Sequence, residues 1–168
     1  MEKNQKNVVT KNNKYVAIAI IGIVAVLMCA WIIIENVGGG KFNIKNSTSY
    51  KIESIEATFV NDDWSVSDTL TFENLISNSS ETKEFDKFDL NNMDASLQLK
   101  ITFEGYSPIV LQAGYINELF TGNINITMKD IEDGNVHIFL KAKNSILSAS
   151  VNGFDEDYII YVKEGYTE

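Results

Sequence analysis

Polar and apolar positions follow two different rules along this chain. From Tyr15 to Ile34 the sequence YVAIAIIGIVAVLMCAWIII carries no charge over twenty residues. Beyond Lys41, apolar positions recur mostly at every second residue. The first pattern predicts a helix roughly 30 Å long at ~1.5 Å per residue, the thickness of a bilayer's hydrocarbon core. The second predicts strands with one buried face.

Ala95–Phe103 states the second rule most clearly: Leu97, Leu99, Ile101 and Phe103 alternate with Gln98, Lys100 and Thr102. Asn123–Met128 and Val136–Ala142 repeat it. Further strands are expected at Lys41–Asn46, Tyr50–Val60, Thr69–Leu75, Glu84–Leu90, Pro108–Ala113, Ile146–Val151 and Tyr158–Val162. β-branched and aromatic residues dominate these stretches, as a half-buried pleated surface favours. Glu132-Asp133-Gly134-Asn135 between two alternating runs predicts a hairpin turn. Asn61–Ser67, Ser77–Lys83 and Phe154–Asp157 read as polar loops, and Asn117–Phe120 as one possible helical turn. The expected fold is mainly β: one transmembrane helix, then an antiparallel, Ig-like β-sandwich. The corresponding boundaries are a tail at 1–14, the helix at 15–34, a Gly-rich linker at 35–41 and the sandwich at 42–168.

Charge gives the helix a direction. Four lysines and one acid precede it, and no cation follows until Lys41. Positive flanks are retained in the cytoplasm, so the expectation is a single-pass cell-membrane protein with its N-terminus inside and residues 42–168 outside. Tyr15 and Trp31 lie near the two ends, where amphipathic rings favour headgroups. A cleaved signal is the competing reading; it calls for a shorter apolar stretch, roughly 7–15 residues, and a small-x-small site. Lipidation at Cys29 is disfavoured by the large Met28 before it and the apolar residues after it. Ala19, Gly22, Ala25 and Cys29 share one stripe at 100° per residue, a candidate face for packing against a partner helix.

Residues 41–168 hold ten lysines, twenty-one acids and no arginine. This balance argues against nucleic acid as a partner and for a domain repelled by anionic lipid. The sole cysteine, Cys29, lies in the apolar run, so no disulfide staples the β region and a hydrophobic core must hold it.

Catalytic signatures are sparse. His137 is the only histidine, mid-strand. Ser80-Glu81-Thr82-Lys83 matches S-x-x-K without its companion motifs. No phosphate-binding glycine loop and no G-x-S-x-G occur. The expectation is no enzyme and no cofactor. Asp155 and Asp157 are the weak candidates for calcium, on the reading that they sit in a long loop. Trp64 in NDDWS and Tyr106 after Gly105 are the candidate ligand contacts, with Trp64 folded back over the sandwich edge as the alternative.

Residues 43–103 resemble small exported bacterial β-domains that open on an Asn-x-Thr strand and carry an Asp-Trp loop. Those residues are Asn46, Thr48, Asp63 and Trp64 in this chain. The likeness implies no activity, and Gln112 onward has no counterpart in it. The sequence therefore points to a membrane-anchored binding or scaffolding module, an accessory subunit with a protein partner at the bilayer. A module for calcium or a cell-envelope glycan is the alternative.

Overall fold

The computed structural model describes residues 2–37, 39–62, 64–86, 90, 94–116, 120, 122–144 and 153–167. The chain divides into two compact units, Met1–Val37 and Gly38–Glu168.

The first unit is one helix, α1 (Glu2–Val37). It contains a twenty-residue stretch, Lys14–Ile33, long and apolar enough to cross a membrane, and all of that stretch is exposed. The helix overruns the expected span at both ends, and β1 begins at Gly40, so elements occupy much of the stretch read as a linker. Continuing the helix past the apolar run keeps the backbone N–H and C=O groups paired within it.

The second unit contains β1 (Gly40–Ser47), β2 (Ile52–Asn61), β3 (Trp64–Ser65), β4 (Leu70–Leu75), β5 (Ser79–Phe85), β6 (Ala95–Phe103), β7 (Ile109–Ile116), β8 (Asn123–Asp130), β9 (Val136–Lys143), β10 (Gly153–Tyr161) and β11 (Tyr166–Thr167). They form a six-stranded sheet in the order β11-β10-β9-β8-β1-β5 and a five-stranded sheet in the order β3-β2-β6-β7, with β4 also on β2. All pairs are antiparallel except β1 with β8, which run parallel.

One core lies between the sheets. Phe42, Ile44, Ile124, Ile126, Ile138 and Leu140 face Ile55, Phe72, Leu97, Leu99, Ile101 and Leu111 within a single buried cluster. Each such side chain contributes about 1.5–3 kcal/mol by leaving water. The antibody-type arrangement of an inter-sheet disulfide on a buried tryptophan is not used. Cys29 belongs to α1, and Trp64 is exposed.

The hairpin at Glu132–Asn135 forms as expected. Asp133 and Gly134 take φ of 63° and 75°, values that these residue types tolerate. Ile131 N–H closes the loop onto Asn135 O at 2.9 Å.

Two stretches read as loops are strands. Ser79–Phe85 forms β5 on the edge of the larger sheet, where lysine and glutamate blunt further pairing. Phe154–Asp157 belongs to β10, whose buried Phe154 sets the register despite three acids after it. Asn61–Ser67 includes β3, and β7 extends past Ala113 to Ile116. The strand expected at Ile146–Val151 lies outside the described residues, as do Asp63, Lys87–Asp89 and Asn117–Leu119.

Candidate binding surfaces

β2 separates the two aromatic candidates. Trp64 pairs with Asn61 at one end of β2, and its side chain is 77% exposed. Tyr106 follows β6, whose Phe103 pairs with Ile52 at the other end. At ~3.3 Å per residue the two ends lie roughly 30 Å apart. Tyr106 packs edge-on against Tyr50 at 5.9 Å and rests on the core. Tyr50 in turn donates its hydroxyl to Gly134 O at 2.7 Å. Burial and the neighbouring Tyr106 and Asp130 raise the Tyr50 phenol above its ordinary pKa. Tyr106 thus belongs to a packed aromatic end of the sandwich, whereas Trp64 does not fold back over its edge.

Beside Trp64 the edge of the smaller sheet is interrupted between β3 and β4. Val66 N–H still reaches Phe59 O at 2.8 Å, and Ser67 Oγ accepts from Phe59 N–H at 3.0 Å. A groove of about 880 Å³ opens at the interruption, with Phe42, Phe59 and Phe85 in its lining and Asp68, Glu84 and Asp86 around them.

Asp155 and Asp157 lie on β10, exposed on the outer face of the larger sheet, rather than in a long loop. Each already has a partner one strand away. Lys141 bonds Asp155, and His137 Nε2 lies 2.8 Å from Asp157 Oδ2. Among the described residues, no three His, Cys, Asp or Glu side chains group as a metal site. The Ser80-to-Lys83 motif is extended on β5, so its serine and lysine point to opposite faces. His137 packs against Phe139, ring centres 4.1 Å apart and planes tilted by 38°.

The outer face of the larger sheet gathers a set of side chains that the sequence keeps apart. In register across β10, β9, β8, β1 and β5 run Asp155, Lys141, Asn125, Asn43 and Thr82. The next row is Asp157, Phe139, Thr127, Lys45 and Ser80. Asn43 Nδ2 donates to Asn125 Oδ1 at 3.0 Å, and Thr82 Oγ1 donates to Asn43 Oδ1 at 2.8 Å.

The helical candidates Ala19, Gly22, Ala25 and Cys29 all lie exposed on α1. A Cβ added at Gly22 would meet nothing within 4 Å.

No family model, curated protein or solved structure matches the chain.

Proposed function

We propose that the protein is a membrane-anchored β-sandwich that binds or scaffolds a partner near the bilayer, as an accessory subunit of a membrane or cell-surface complex, rather than catalysing a reaction. The observation that carries this reading is the Lys14–Ile33 stretch of α1, twenty residues long and apolar enough to cross a membrane, with none of it buried. In water such a surface is strongly unfavourable; in lipid it is solvated. The lysines before it favour a cytoplasmic N-terminus and an outer β unit.

The Ala19, Gly22, Ala25 and Cys29 stripe offers a close-packing face to a second helix. Leucine at Ala19 and Ala25 would lift a partner off that face. The expected result is loss of co-purifying protein with unchanged retention of the chain in carbonate-washed membranes. Recovery of the native chain in the soluble fraction, or a mature N-terminus beginning after Ile34, would overturn the anchored reading in favour of a cleaved signal.

A ligand-binding module is the second reading. It is supported by the exposure of Trp64 beside the groove and by the polar outer face of the larger sheet. That reading takes a glycan more readily than calcium, since Asp155 and Asp157 are engaged by Lys141 and His137.

A further inference from the structure

The β unit is acidic, yet its charge is not spread evenly. Residues 41–168 carry eleven more acids than lysines. On the outer face of the larger sheet the balance inverts. Lys41, Lys45, Lys129, Lys141 and Lys143 all point outward there, against Glu84, Asp155 and Asp157. The local excess is two positive charges. Lys41 pairs with Glu84 at 3.3 Å, and Lys141 with Asp155. Among the described residues Lys45, Lys129 and Lys143 make no ion pair.

Lys45 and Lys129 are diagonal neighbours on this face. Lys45 stands beside Thr127 across the parallel β1–β8 pair, and Lys129 lies two residues further along β8. At ~4.8 Å between strands and ~3.3 Å per residue their backbones lie roughly 8 Å apart, within reach of two long side chains toward one anionic group. Phe139 borders the pair from β9, 41% exposed, with the Lys129 ammonium 5.2 Å from its ring centre. Asn125 spends its carbonyl oxygen on Asn43 and leaves its NH₂ group without a protein partner among the described residues.

Taking the ligand-binding reading above as its basis, we propose that this face binds a strand of acidic glycan, a sugar chain bearing carboxylates. The lysine pair takes the carboxylate. The exposed part of the Phe139 ring offers apolar contact to the C–H groups of a pyranose. Asn125 and Thr127 supply hydrogen bonds to hydroxyls. An anionic membrane surface fits less well. An extended charged plane also senses the acid surplus carried by the rest of the domain, which this face does not offset. A thin polymer crossing the sheet meets the lysines first. The Phe139 ring also lies against His137 at 4.1 Å rather than projecting as a wedge toward lipid.

The test uses the full-length chain in neutral phosphatidylcholine nanodiscs, with polygalacturonate as the probe. Uncharged dextran and phosphatidylglycerol vesicles are the comparison arms. Binding to polygalacturonate is expected to exceed binding to both, and to weaken with added salt. The double change Lys45→Glu/Lys129→Glu is expected to weaken it about tenfold or more through reversed local charge. Lys51→Glu/Lys100→Glu alters net charge equally on the side of the smaller sheet and is expected to stay within about twofold, since surface substitutions act locally under screening. Phe139→Ala is expected to weaken binding at unchanged charge. No binding to polygalacturonate, equal losses in the two double variants, or preference for the anionic vesicles would each overturn the proposal. Binding of another glycan or of calcium by the same nanodisc sample would then leave the broader ligand-binding reading standing.

Discussion

Glu156 on β10 accepts the backbone N–H of Gly114 on β7 at 2.9 Å, so a charged side chain of one sheet holds the main chain of the other. The bond exists because β7 departs from regular pairing there. The β6–β7 register shifts between Ala95 and Leu97, and Gly114 sits at φ 64°. A Cβ on Gly114 would lie 2.3 Å from the Phe154 ring, a buried contact of the core. Gly114→Ala therefore meets both a left-handed backbone and a clash. It is expected to destabilise the β unit by roughly 2 kcal/mol or more. Glu156→Ala, which removes a charge-assisted bond, is expected to cost about 1.5–3 kcal/mol. Urea unfolding of the full-length chain in detergent, followed by far-UV circular dichroism, measures both. Wild-type midpoints in the two variants would show that this inter-sheet bond is dispensable.

The same carboxylate accepts the Tyr158 hydroxyl. Burial first, and then the bond and charge of Glu156, raise the Tyr158 phenol well above its ordinary value of 10.0. The folded state holds that proton more tightly than the unfolded chain does. Its contribution to stability is complete below pH ~10 and is lost as pH climbs toward the folded value, because the unfolded chain ionises first. Stability is thus expected to fall between about pH 10 and 11, with a shallower fall in Tyr158→Phe. Equal slopes for the two proteins would remove Tyr158 from the cause.

Alternation made much of the β unit legible, and the reasons for the misses are physical. Ala95–Phe103 forms a strand over the range its pattern marks, because Leu97, Leu99, Ile101 and Phe103 have one face to bury. β5 escaped because edge strands need little apolar content. Its inward Lys83 holds its ammonium over Phe72, 5.2 Å from the ring centre, so a polar residue occupies an inward position. The start of β10 looked like an acidic loop since Asp155 and Asp157 face outward while Glu156 is consumed by Gly114. The basic face was hidden differently. KFNIK and NITMK each show alternation alone, but only the non-local parallel pairing of β1 with β8 sets Lys45 near Lys129. Nothing local in a sequence specifies that pairing. Trp64 sits in a two-residue strand, too short for any periodicity to reveal which way it points.

Exposure of Trp64 separates stability from binding at that position. At 77% exposed it contributes little burial. Trp64→Ala is expected to leave the unfolding midpoint near wild type, within about 0.5 kcal/mol. Any loss of a partner or ligand in that variant then reads as lost contact, not lost folding. A large drop in midpoint would instead show that the ring covers the sheet edge.

Asn46 and Thr48, the Asn-x-Thr pair at the end of β1, are the two polar side chains buried among the described residues. Asn46 Nδ2 reaches the carbonyls of Tyr50, Leu75 and Ile76 at 2.9, 3.0 and 3.2 Å. Its Oδ1 accepts Thr48 N–H at 3.0 Å and Thr48 Oγ1 at 2.7 Å. One amide thereby ties the turn after β1 to the end of β4, joining the two sheets where apolar packing supplies no direction. Aspartate at this position keeps the shape but replaces the donor with a second acceptor, facing three carbonyl oxygens. Asn46→Asp is expected to cost about 3 kcal/mol or more, above the cost of a single unmade bond, since several buried acceptors lose their donor together. Because protonating the introduced carboxyl restores one donor, the loss is expected to shrink as the pH is lowered toward the carboxylate range. Denaturant midpoints of Asn46→Asp and Asn46→Ala at neutral and mildly acidic pH measure this. If the two variants respond to pH alike, donor loss at Asn46 is not the origin of the cost.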